Sequence, residues 1–194
     1  HIFERLNQLN KKISAVVATS NLPIDNPIVN HCKKNKFPVF RGSESNILDR
    51  YYKCAISKKF AHIIRLTADN PFTDIEELKR LISKHKTKKY DYTHSFNVMP
   101  IGVGAEIFKF ETIEKIWKLA NMPSHFEHIN EYIFENPKSF NVGVLKIKKS
   151  KQCPSLRLTV DTPEDYNFVK KIAYGSKGHL INTEEAIRLS LLYV

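Results

Sequence analysis

Apolar residues recur along the chain in two rhythms, one helical and one alternating. Ile2, Phe3, Leu6 and Leu9 fall on one helical face, and the run Ile13 to Ala18 reads as a buried strand. Pro27 to Cys32 suits a short helix. Phe37-Pro38-Val39-Phe40 suits a short strand whose proline places it near a sheet edge. Ile47, Leu48, Tyr51, Tyr52 and Ala55 mark the next helix. The stretch from His62 to Asp69 is an apolar run of strand length that stops at a carboxylate, and Pro71 blocks its continuation. Thr73 and Asp74 then open a helix with Ile75, Leu78, Leu81 and Ile82 on its inner face, and Asp74 with Glu77 forms a capping-box pattern. Strand alternation sets Arg65, Thr67 and Asp69 on one face.

Further on, Tyr90 to His94 reads as a strand, and Glu106-Ile107-Phe108 begins another extended stretch after Pro100-Ile101-Gly102-Val103-Gly104. Glu111 to Ala120 and Phe126 to Phe134 are amphipathic helices, while Val142 to Ile147 alternates like a half-exposed strand. Leu156 to Asp161 repeats the pattern of the Asp69 segment: β-branched residues, a terminal acid, a helix start. Thr162 as cap, Pro163 at the first helical position and Asp165 at the third make that start well defined. Gly175 ends this helix, and Asn182 to Tyr193 forms the last one. Strands alternating with helices predict an α/β fold, a mostly parallel sheet flanked by helices. The expected organisation is a single domain over residues 1–194 with an excursion at about 92–148.

Composition narrows the class. A length of 194 residues, 42% hydrophobic and 26% charged, is that of a globular domain able to bury a core. No stretch approaches the roughly 18 apolar residues of a membrane span, and no secretory signal is visible. Cys32, Cys54 and Cys153 lack metal-ligand spacing and read as reduced thiols, which points to the cytoplasm. The net charge of +11 raises nucleic acid as a partner. The lysines sit in short scattered runs with no nucleic-acid motif, so a solvated surface is the preferred reading.

Two acids at the ends of two strands suit one hard cation. Magnesium is typically held by one or two protein carboxylates, with substrate phosphates and water completing its shell. Asp69 and Asp161 are the candidates. The alternatives are an ordinary loop acid at Asp69 and, at Asp161, a carboxylate that satisfies helix amides.

The segments VVATS (16–20), FPVFRGSESNILDRYY (37–52), RLTADNP (65–71), FEHINEYI (126–133) and RLTVDTPEDY (157–166) together resemble the CMP-sugar-acid synthetase-like cytidylyltransferases of the spore-coat polysaccharide biosynthesis type. The resemblance covers most of the chain in order. It implies a Rossmann-like nucleotidyltransferase fold that couples a nucleoside triphosphate, usually CTP, to an acidic sugar for surface-glycan assembly. It puts the metal carboxylates at Asp69 and Asp161 and the nucleotide-facing loop at Arg41, Gly42, Ser43 and Asp49. The acceptor-facing region falls on Glu106, Glu127 and His128, and a homodimer is compatible with it. Such a transfer needs in-line attack on the α-phosphorus, so the protein mainly positions groups and neutralises charge. Arg41 then offers a planar fork to base or phosphate, and Gly42 a close backbone approach. The other reading of that loop is a strand-to-helix turn capped by Ser43 or Ser45. Arg65 is a candidate for the phosphate or the acid sugar.

His125 and His128 lie three apart, but without a third ligand nearby His128 reads as an acceptor-binding or loop-anchoring group. Gly102-Val103-Gly104 neither follows a clear strand nor opens a helix, so it is no dinucleotide motif. The chain departs from the resembling family in two places. The expected strand and basic loop that wrap the triphosphate do not precede His1, so the fold reads as N-terminally truncated. Pro100 to Glu106 also lacks two acids of the family's acceptor loop. Both departures support the alternative of a catalytically silent nucleotide- or sugar-binding relative.

Overall fold

The computed structural model describes residues 2–9, 13–175 and 180–193. The chain enters through α1 (Ile2–Leu6) and β1 (Val17–Ser20), makes a 3-10 turn at Pro23–Asp25, and continues into α2 (Asn26–Lys34). Next, β2 (Val39–Gly42) pairs in parallel with β1, Val17 opposite Val39 and Ser20 opposite Gly42. The following elements are α3 (Ile47–Lys58), β3 (His62–Arg65), α4 (Ile75–Lys88), β4 (Tyr92–His94) and β5 (Glu106–Lys109). After them come α5 (Phe110–Leu119), α6 (Pro123–Glu127), α7 (Glu131–Glu135), β6 (Val142–Val144), α8 (Pro163–Gly175) and α9 (Thr183–Ser190). Four of the strands form a second sheet in the order β3-β5-β4-β6.

Local chemistry explains the helix ends. Asp74 caps α4 by accepting from the Glu77 N–H at 2.9 Å, but only half of the expected capping box forms. The Glu77 carboxylate turns instead to Arg80 and to Lys151. The Asp74 N–H is satisfied by the Val103 carbonyl at 3.1 Å. For α3 the cap is neither serine of the sequence expectation: Asn46 accepts from the Asp49 N–H at 2.8 Å. Ser43 serves one step earlier, its hydroxyl accepting from the Asn46 N–H at 3.0 Å. The start of α8 is as expected. Thr162 Oγ1 accepts from the Asp165 N–H, and the Asp165 carboxylate accepts from the Thr162 N–H.

Several boundaries differ from the sequence expectation. The first strand begins at Val17 instead of Ile13. β3 stops at Arg65, because Thr67 to Asn70 folds into a turn closed by the Asn70 N–H on the Thr67 carbonyl. Arg65, Thr67 and Asp69 therefore do not share a strand face. The helix expected over Phe126 to Phe134 is two short ones, with His128 to Asn130 outside both. Leu156 to Asp161 is not a strand but a single parallel bridge between Ile101 and Arg157. Gly102 makes that bridge possible. Its φ is +90°, and a Cβ there would lie 2.8 Å from Asn70 Oδ1 and 2.9 Å from the Thr159 nitrogen.

The chain divides into two compact units, one of residues 1–11, 64–107 and 143–194, the other of residues 12–63 and 108–142. In the first, Leu78, Leu81, Tyr92, Met99, Ile107, Leu158 and Ile172 are buried. Lys151 is fully buried there too, ringed by Asp74 at 3.0 Å, Glu76 at 2.6 Å and Glu77 at 3.2 Å. Burial disfavours its charge, but the hydrogen bonds it donates to Glu76, Asp74 and Glu77 outweigh that and hold its pKa above the ordinary lysine value. The second unit buries Leu48 and Ala55 of α3 with Ile113 and Ile116 of α5. Tyr52 stacks on Trp117 at 4.4 Å and on Phe110 at 5.9 Å.

Candidate active site

The two acids singled out in the sequence both lie in the first unit. Asp69 sits in the turn after β3, and its carbonyl accepts from the Val160 N–H at 2.9 Å. That bond brings the residue next to Asp161 against Asp69 across 91 positions of sequence. Thr159 donates its hydroxyl to Asp69 Oδ2 at 3.2 Å. Asp69 Oδ1 is buried without a hydrogen-bond partner among the described residues. A buried polar oxygen left in that state is costly unless something else binds it.

Asp161 is differently placed, with its side chain 52% exposed and in an ion pair with Arg157. Arg157 is shared, since its Nε donates to Asp165 at 3.3 Å. Asp165 in turn accepts from the Asp161 and Thr162 N–H groups at 3.0 Å each. The Asp161 N–H, with help from Arg157, holds the Asp165 carboxyl down to about 2. The helix-satisfying role weighed for Asp161 in the sequence thus belongs to Asp165, which leaves the Asp161 carboxylate to Arg157.

These residues can be tested against a magnesium ion. Asp69 offers a hard oxygen donor with an orphaned atom, and Asp161 a second carboxylate at the surface. Among the described residues no group of three or more His, Cys, Asp or Glu side chains could hold a metal by itself.

Arg65 closes β3 and donates Nη1–H to Glu106 Oε1 at 2.7 Å. The other Glu106 oxygen accepts from the Tyr92 hydroxyl at 2.5 Å. The sequence suggested Arg65 and Glu106 but not Tyr92, whose only signal was strand alternation. Thr159 and Arg157 were equally silent.

The nucleotide-loop residues lie in the second unit. Asn21, Leu22 and Phe40 to Ser45 join Asp49 and Lys53 around a cavity of about 580 Å³, a volume ordinary for a small-molecule site. Arg41 gives every nitrogen to the segment from the end of β1 to the start of α2: Nε to the Ser20 carbonyl at 2.9 Å, Nη1 to Asn26 at 2.9 Å and Nη2 to the Leu22 carbonyl at 2.7 Å. Its fork shapes the cavity wall. Asp25 holds the end of β1, accepting from the Thr19 hydroxyl and the Ser20 N–H, which lowers its pKa to about 2. Gly42 leaves room for Arg50, whose Cγ would lie 3.0 Å from an added Cβ. Asp49 is anchored by Lys53 at 2.9 Å and the Trp117 indole N–H at 3.0 Å.

Glu127 and His128 lie at the end of α6, both exposed. The loop-anchoring role considered for His128 falls to His125. It is buried, accepts from the Met122 N–H at Nδ1, and pairs through Nε2 with Glu135 at 2.7 Å.

Residues 1–188 match the cytidylyltransferase family model. The chain belongs to this cytidylyltransferase family. It is 37% identical over 158 residues to the spore coat polysaccharide biosynthesis protein SpsF of Bacillus subtilis, covering 81% of this chain and 65% of that protein. An uncharacterized protein of Methanocaldococcus jannaschii is 36% identical over 167 residues, covering 86% and 68% respectively. The chain thus spans about two thirds of the length of these relatives. Among solved structures, a cytidylyltransferase from Leptospira borgpetersenii superposes with a TM-score of 0.89 at 27% identity, over 98% of this chain and 81% of that one. A CMP:2-keto-3-deoxy-manno-octonic acid synthetase complexed with CTP shares the fold, with a TM-score of 0.68 at 14% identity, over 90% and 86%. The α/β fold is therefore that of the nucleotidyltransferases. No helix among the described residues is long and apolar enough to cross a membrane.

Proposed function

We propose that this chain is a magnesium-dependent cytidylyltransferase, moving the CMP group of CTP onto an acidic sugar destined for a surface glycan. The observation that carries the reading is the Asp69–Val160 backbone bond. It seats a carboxylate with one buried, partnerless oxygen beside the residue preceding Asp161. The family supports nucleotidyl transfer, and the name of the Bacillus relative supports the glycan. The CTP complex of the synthetase sharing this fold supports the nucleotide.

In this reading Asp69 and Asp161 hold the ion, and Thr159 orients Asp69 by its hydroxyl bond. Bound magnesium would neutralise phosphate charge and make the α-phosphorus more electrophilic. The cavity walled by Gly42, Ser43 and Asp49 takes the nucleotide, its shape set by Arg41. The acidic acceptor is assigned to Arg65, with Glu106 behind it. Three free cysteines agree with a cytoplasmic protein.

Pyrophosphate release from CTP with a panel of acidic sugars tests the reading. Asp69→Asn and Asp161→Asn should each lower turnover by about 100-fold or more with an unchanged melting temperature, and EDTA should stop the reaction until magnesium is restored. CTP binding without turnover for any sugar would leave a silent relative instead. Near-normal rates for either variant would remove the metal assignment.

A further inference from the structure

Glu106 was expected to touch the acceptor, yet its side chain is only 5% exposed and both of its oxygens are engaged. Arg65 keeps 19% of its side-chain surface. An anion arriving at this pair therefore meets the arginine and not the carboxylate. Behind them Tyr92 is completely buried, with its hydroxyl on Glu106 and its ring stacked on His94 at a centroid separation of 5.5 Å. The tyrosine cannot swing away, so Glu106 is held, and Glu106 in turn holds the guanidinium.

A free arginine side chain carries about 2 kcal/mol of rotamer entropy, which an unbraced site would lose on every binding event. A fork already set in place loses little, and a planar guanidinium suits an oxyanion. The position also suits a ligand contact, because Arg65 ends a strand of an α/β sheet and ligands gather at that edge.

We propose that Tyr92 and Glu106 are positioning residues that fix Arg65 to receive an oxyanion of the substrate, a sugar carboxylate or a nucleotide phosphate. The identity of the anion rests on the function proposed above; the brace does not. Binding of 2-keto-3-deoxy-manno-octonic acid and, separately, of inorganic phosphate can be measured by calorimetry on the whole chain. The samples are wild type, Tyr92→Phe, Glu106→Gln, Arg65→Gln and the Arg65→Gln/Glu106→Gln pair. Tyr92→Phe removes one hydroxyl and Glu106→Gln one charge, and each should weaken anion binding about tenfold. In the Arg65→Gln background Glu106→Gln should add less than about twofold, because its effect passes through the arginine.

A loss confined to the sugar acid assigns the carboxylate, and a loss confined to phosphate assigns the nucleotide; both support the brace. If Glu106→Gln fails to fold, Tyr92→Phe carries the test. The proposal is overturned if Tyr92→Phe lowers the melting temperature but binds both anions like wild type. It is also overturned if Glu106→Gln adds its own tenfold loss to Arg65→Gln, or if wild type binds neither anion. Pyrophosphate release from the same samples keeps the two ideas apart. A wild type that binds the sugar acid through Arg65 yet releases no pyrophosphate overturns the enzymatic reading and leaves the brace standing.

Discussion

Lys151 shows how much a single side chain can decide. It stands at the end of a lysine run that looks like solvated surface in the sequence, yet it is fully buried among Asp74, Glu76 and Glu77. Removing one partner of a buried ion cluster leaves the others uncompensated. Lys151→Met should therefore cost about 3–5 kcal/mol, read as a lower urea midpoint at constant slope, whereas Lys149→Met at an exposed neighbouring position should cost almost nothing. Nothing local marked Lys151, because a charge run looks the same until tertiary structure buries one member. Asp69 was legible for the opposite reason. An acid where an apolar run ends, followed by proline, is a local pattern, and the structure sets that acid in a turn because the strand ends four residues earlier than expected.

Helix starts were read well and strand ends poorly. The cap of α8 needs only residues 162 to 165, all within one turn, and it forms as the sequence implied. Thr162→Ala should lower stability by about 1 kcal/mol, measured by thermal or urea unfolding. The Arg157–Leu158–Thr159 stretch has the composition of a strand but finds only the Ile101 bridge. Whether β-branched residues become a strand depends on a neighbour that sequence spacing does not name. Gly102 carries that neighbour. Gly102→Ala would strain a φ of +90° and press a Cβ onto Asn70 and Thr159, so it should cost about 2–3 kcal/mol. Because Thr159 also holds Asp69, the same variant should lose turnover even where it stays folded, in a pyrophosphate-release assay below its melting temperature.

For the molecule as a whole, the net charge of +11 says little about the site, since the cations that matter are paired: Arg65 with Glu106, Arg157 with Asp161. Burial of His94 makes global stability depend on pH. His94 lies buried between the rings of Tyr92 and Phe96, and burial lowers its pKa to about 4. The unfolded chain protonates this group near pH 6.5. Between about pH 6.5 and about 4 the unfolded state therefore binds the extra proton, and folding stability falls as pH falls. The loss is on the order of 3 kcal/mol, complete below about pH 4 and absent above about 6.5. Urea midpoints from pH 7.5 to 4 should fall more steeply in wild type than in His94→Phe, and parallel curves would refute the assignment.

Sequence alone determined the α/β class, the order of most elements, the caps of α4 and α8 and the family, because each is written in residues close together or in motifs of fixed order. Tertiary structure decided what the motif residues touch. It turned Arg41 inward to hold a loop, gave the anchoring role to His125, set Tyr92 behind Glu106, and left one Asp69 oxygen buried without a partner. The physical reason is common to all four. A side chain's partner is chosen by whichever donor or acceptor folding brings within about 3 Å, and that choice joins residues whose separation in sequence carries no information.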